Sequence, residues 1–161
     1  MFYCLLAAAL ACASANAFEI GEFKTGLSRE RAKQLLATWN FDQVIDASED
    51  TLIVQDLPEK RTNRQWRLIF CNDKLSAFDQ ALSPSLKNLI TTTNNYVKNY
   101  GQPFKVDANN HVLSNGEKQT LSMFWRVRGD IVGLRYFAYP NGEDLLITFE
   151  SANTCWQIPR P

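Results

Sequence analysis

Histidine is nearly absent: 161 residues contain one, His111. With a single imidazole and no tight Cys/His/Asp spacing, the chain has no ligand set for a zinc site. No phosphate-cradling glycine loop and no nucleophile motif occurs either, so neither a cofactor nor a metal is implied. Net charge is missing too. Seventeen basic side chains are balanced by 17 acidic ones, which removes the basic footprint of a nucleic-acid binder. Apolar runs of the ~20 residues that cross a bilayer as a helix are also lacking. After residue 17 no repeat, low-complexity tract or Pro/Gly/Ser linker divides the chain.

Among what is present, the N-terminus carries the clearest signal. Leu5 to Ala15 is a run of leucines and small residues, and Ala15-Asn16-Ala17 is the small-x-small pattern cut by signal peptidase. Residues 1–17 are therefore expected to be a cleaved export signal, leaving 18–161 as a single domain in the periplasm or outside the cell. Residues 1–16 carry no Lys or Arg, so the usual positive leader is missing. Two alternatives compete. Ala9-Leu10-Ala11-Cys12 is similar to a lipoprotein box with Ala9 in place of the usual leucine, which would anchor the chain at Cys12. The segment could also be a buried helix. A chain of this length buries about two-thirds of its unfolded surface, enough for a core without metal.

Removing the signal leaves Cys71 and Cys155. Two cysteines in an oxidising compartment pair. Closing the long loop between them is worth roughly 4–5 kcal/mol on a chain-entropy basis.

Two helices are marked by their ends. Over 28–39, Ser28 offers an N-cap and Leu27 a staple onto Ala32; Ala32, Leu35, Leu36 and Trp39 keep helical spacing. Over 84–100, Ser83 caps, Pro84 takes the first position, and Leu86, Leu89, Ile90, Val97 and Tyr100 form a stripe. Gly101 and Pro103 stop it. Between the helices, Val44-Ile45 and Thr51–Gln55 flank the polar turn Asp46–Asp50. Arg64–Cys71 alternates with Trp66, Leu68 and Phe70 on one face, and Asn72-Asp73 turns into a short element over Lys74–Phe78. The stretch 104–120 is polar and reads as a loop holding His111. The chain then closes in a three-stranded meander: Leu121–Arg128, Ile131–Tyr139 and Leu145–Glu150, with turns at Gly129-Asp130 and Asn141-Gly142. The expected class is α+β, an antiparallel sheet of five to seven strands with two helices packed on one face.

The Gly26-Leu27-Ser28 helix opening and the Gly101-x-Pro103 stop resemble segments of small bacterial envelope modules, outer-membrane assembly lipoproteins and β-lactamase inhibitory proteins. The likeness covers a small part of the chain and carries no function with it.

Turns at 129–130 and 141–142 place residue 127 opposite 132, 125 opposite 134, and 134 opposite 149. Met123, Trp125, Val127, Val132, Leu134, Tyr136, Ile147 and Phe149 then share a core face. The opposite face carries the candidate binding residues Phe124, Arg126, Arg128, Arg135, Phe137 and Tyr139, beside Leu146 and Thr148. Arginine pairs bidentately with carboxylates and stacks on rings. Such a face suits an acidic protein surface, an anionic glycan or another small anionic ligand. Arginine stems covering rings on an ordinary sheet exterior give the same pattern.

Other chemistry is thin. A Cys71–His111 couple is one route to a small secreted hydrolase; carboxylates that only the fold unites are another. The acidic turn Asp46, Glu49, Asp50 lacks the rhythm of a calcium loop. Arg128-Gly129-Asp130 spells an adhesion tripeptide but is explained as a turn, and Lys60, Arg61 and Arg64 read as a solvated cluster. Single-stranded nucleic acid, suggested by basic–aromatic mixing, is opposed by export and zero net charge. The sequence thus points to a non-enzymatic, exported binding module, of inhibitor or immunity type. A hydrolase and a lipid-anchored envelope component are the alternatives.

Overall fold

The computed structural model describes residues 18–57 and 64–156. Residues 1–17, expected to be an export signal and containing Cys12, lie outside the described residues, as do Lys60 and Arg61. Among those described, no helix is long and apolar enough to cross a membrane.

The described residues open with a small hairpin, β1 (Glu19–Ile20) and β2 (Phe23–Lys24), followed by helix α1 (Arg29–Thr38). Ser28 caps α1 as expected, its side chain accepting from the Arg31 amide at 3.2 Å. Ala32, Leu35 and Leu36 are its buried positions. Four strands follow: β3 (Gln43–Ser48), β4 (Thr51–Gln55), β5 (Gln65–Cys71) and β6 (Lys74–Leu82). Helix α2 (Leu86–Tyr100) and a second set of four, β7 (Lys105–Leu113), β8 (Gly116–Val127), β9 (Asp130–Tyr139) and β10 (Gly142–Glu150), complete it. Helix α2 starts two residues later than its sequence signals suggest. Ser85 is the cap, accepting from the Asn88 amide at 3.1 Å, while Asn88 donates back to the Ser83 carbonyl.

β3 to β10 form one antiparallel sheet in the order β3-β4-β5-β6-β10-β9-β8-β7. The molecule is therefore mainly sheet, with eight strands rather than five to seven. The extra strand and a half lie in 104–120. That stretch is rich in Asn and Asp, which disfavour strands, yet nine consecutive residues of β7 pair with β8. Polar residues are tolerated there because β7 is an edge strand. The C-terminal meander thus has four strands, and His111 sits on a strand instead of in a loop.

The element order also repeats: a helix, then a four-stranded meander, twice. Nothing in the sequence repeats with it. The halves meet where β6 pairs β10, including Phe78 opposite Phe149. Direct partners share a face. Phe78 belongs to the core under α1 and Phe149 packs against the core under α2, so both helices cover the same side of the sheet, as the sequence implies.

The meander turns one residue earlier than expected in both places, at 128–129 and 140–141. Val127 therefore pairs Asp130, Trp125 pairs Val132, and Leu134 pairs Ile147. Each partner moves by two positions, which preserves facing. The expected core face survives: Met123, Trp125, Val132, Leu134 and Ile147 are buried under α2. On α2 itself Leu89 is buried, whereas Leu86, Ile90 and Tyr100 of the expected stripe are exposed. Tyr96 instead packs edge-on against Trp125 at 5.3 Å. Cys71 and Cys155 are disulfide-bonded, fastening the segment after β10 to the end of β5.

Candidate functional site

With both helices on one side, no helix among the described residues covers the other side of the sheet. Direct pairing lays a row of residues across that face: Arg67 on β5, Asp79 on β6, Thr148 on β10, Gly133 on β9, Phe124 on β8 and Lys105 on β7. Arg67 Nε donates to Asp79 Oδ2 at 2.7 Å. Arg135 pairs Leu146, one step along, while Glu150 pairs Ile131, one step the other way. The Arg135 side chain nevertheless bonds Glu150 Oε1 at 3.3 Å, so it lies along β9 past Gly133. A Cβ at position 133 would collide with the Thr148 hydroxyl and touch the Phe124 ring; glycine leaves the room that the arginine crosses. Burial raises Glu150 above the usual carboxyl range. Arg135 offsets this in part and nearby Asp79 adds to it, while the Trp156 side chain bonds Glu150 from the disulfide-held tail. Arg135 Nε and Thr148 Oγ1 are buried here without a hydrogen-bond partner.

Cations interleave with rings around this centre. The Arg135 guanidinium lies 5.3 Å from the Phe124 ring and Arg126 4.7 Å from Phe104. Lys118 sits 4.9 Å from Phe137 and 5.2 Å from Tyr139, two rings stacked on each other. Beside them a cleft of about 270 Å³ is lined by Ile53, Arg67, Asp79, Ala81, Asp144 and Leu146.

Of the six residues singled out from the sequence, Phe124, Arg126, Arg135, Phe137 and Tyr139 do share this face. Arg128 does not: it occupies the β8–β9 turn with φ at 53°. Phe124 is buried, serving as floor for Arg135. The face is also not simply basic, because Asp79, Asp144 and Glu150 alternate with the arginines. Counting back from the Asn72-Asp73 turn would have placed Arg67 opposite Phe78. A bulge between Ile69 and Phe70 shifts the register by one and brings it opposite Asp79.

No family model, curated protein or solved structure matches this chain. The likeness of its capping segments to envelope modules stays confined to those residues.

Other candidates resolve differently. Cys71 is in a disulfide, and His111 lies on the far edge strand with β6, β10, β9 and β8 between them; the thiol–imidazole couple does not form. Asp46 accepts from Arg29 and Lys33, at 2.7 and 3.0 Å. Those two bonds hold its carboxyl below the usual range, and no group of metal ligands occurs among the described residues. Arg64 is no solvated cation. It pairs Asp56 at 2.9 Å, donates to the Trp39 and Asn40 carbonyls after α1, and lies over the Phe41 ring. Asp130, the acid of the Arg-Gly-Asp turn, is buried with neither oxygen partnered.

Proposed function

We propose that this chain is an exported, non-enzymatic binding module that recognises a protein partner through the helix-free face of its sheet. The observation that carries the proposal is the composition of that face: fixed ion pairs at its centre, ring-stacked cations around them, and an adjoining cleft. Arginine and aromatic side chains are enriched at interfaces. Here Arg67 and Arg135 are already held by Asp79 and Glu150, which reduces the side-chain entropy lost on binding. The mixed signs of charge favour a protein surface over a purely anionic ligand or glycan. The disulfide and the lack, among the described residues, of a membrane-crossing helix accord with export of the domain.

The test is affinity capture with the purified protein beside an Arg126→Glu/Lys118→Glu variant. Arg135 is left alone because reversing it would set an acid against the half-buried Glu150. A partner held by the wild type and lost by a variant with an unchanged melting curve is the expected result. A partner retained by both would remove the face from consideration.

A further inference from the structure

The two edges of the sheet are not alike. β3 is six residues long, carries a bulge between Asp46 and Ser48, and has Asp46 tied by Arg29 and Lys33. Short, bulged, charged edges resist pairing with another chain. β7 is nine residues long, pairs β8 with no register shift, and has no proline. Among the described residues nothing pairs its outer side. Both edges carry exposed apolar side chains, but those of β7 are barer: Val112 is 84% exposed and Val106 55%, against 46% for Val44 and 42% for Ile45 on β3. Leu86 and Ile90 on the neighbouring helix α2 are exposed as well. A groove of about 510 Å³, lined by Leu89, Ala108, Leu121 and Tyr136, opens beside β7 on this helix side.

We infer that β7 is a self-association edge, and that its partner is β7 of a second copy, paired antiparallel about Asn109. The sequence of the strand complements itself in this register. Val106 falls opposite Val112 of the other copy, twice by symmetry, on the face covered by the helices. Asp107 falls opposite His111, also twice, on the helix-free face, where Asp107 already pairs with Lys105 of its own strand at 2.9 Å. Asn109 meets its own counterpart at the centre. Moving the register by one pair either way sets Asp107 against Asn109 or Leu113 and separates the valines. Hydrogen-bonding and apolar matching therefore select one alignment. The two-fold axis runs through the sheet, so both α2 helices lie on one side and both helix-free faces on the other. The product is one continuous sixteen-stranded sheet.

Sedimentation velocity on the purified protein should show a species of twice the chain mass. Val112→Lys should weaken association at least tenfold while leaving the circular dichroism spectrum of the folded protein unchanged. The register has a separate test, in a background with Cys4 and Cys12 replaced by Ser. Directly opposed Cβ atoms sit ~4.5–5.5 Å apart. Asn109→Cys should therefore give a covalent dimer under mild oxidation, and Ala108→Cys, which faces Asn110 instead of itself, should cross-link far less. A protein that stays monomeric at high concentration would overturn the inference. So would a dimer that ignores Val112→Lys or cross-links equally well through position 108.

Discussion

Asp130 ends the β8–β9 turn with both carboxylate oxygens buried and unpartnered, and burial pushes its pKa up to about 7. An unfolded chain releases this proton near pH 4. Between pH 4 and 7 the folded state thus binds more protons than the unfolded one, and stability falls as pH rises through that window. The loss is complete above it. Glu150, also raised by burial, acts in the same direction. Thermal melts should show lower stability at pH 8 than at pH 5, and Asp130→Asn should remove a part of that slope worth on the order of 2 kcal/mol. Gly133 makes a second prediction. Gly133→Ala forces a methyl onto the Thr148 hydroxyl and should cost about 1–3 kcal/mol in urea denaturation. Adding Thr148→Ala should recover much of that loss, a non-additivity expected of groups in direct contact.

At the scale of elements, what could be read from the sequence was what is local. Ser28 and Gly101 cap the helices through their own side chain or backbone freedom, so their positions show in a few residues. Alternation in Met123–Val127 and Val132–Tyr136 placed the core face correctly, and an error of one residue in each turn, which moves every partner by two positions, left it correct. The losses came where tertiary pairing overrides composition. β7 looks like a loop because Asp107, Asn109 and Asn110 belong to loops elsewhere, and only its ladder to β8 makes it a strand. The Arg67–Asp79 pair was hidden by one bulge. Arg64 was hidden for another reason: its partners, the Trp39 and Asn40 carbonyls, Asp56 and the Phe41 ring, come from the end of α1 and the loops around it.

On the scale of the whole molecule, two helix-plus-meander halves are joined through the β6–β10 ladder and a disulfide that returns the tail to β5. Replacing Cys71 and Cys155 with Ser should cost about 2–5 kcal/mol in chemical denaturation. Because the tail also brings Trp156 to Glu150, the same variant should bind its partner differently even at temperatures where it stays folded, measurable by titration against the captured protein.

Sheet order and chain order run against each other in this fold. β10, the last of the described strands to be synthesised, lies between β6 and β9 and supplies ladders to both. Until it emerges, β6 and β9 each present an open edge, and the sheet exists only as two separate fragments. Such non-local closure is slow, since distant segments must meet before their contacts reward the meeting. A sheet built this way stays unfinished until β10 has been made, and an unfinished chain is one that can still be threaded through a membrane pore.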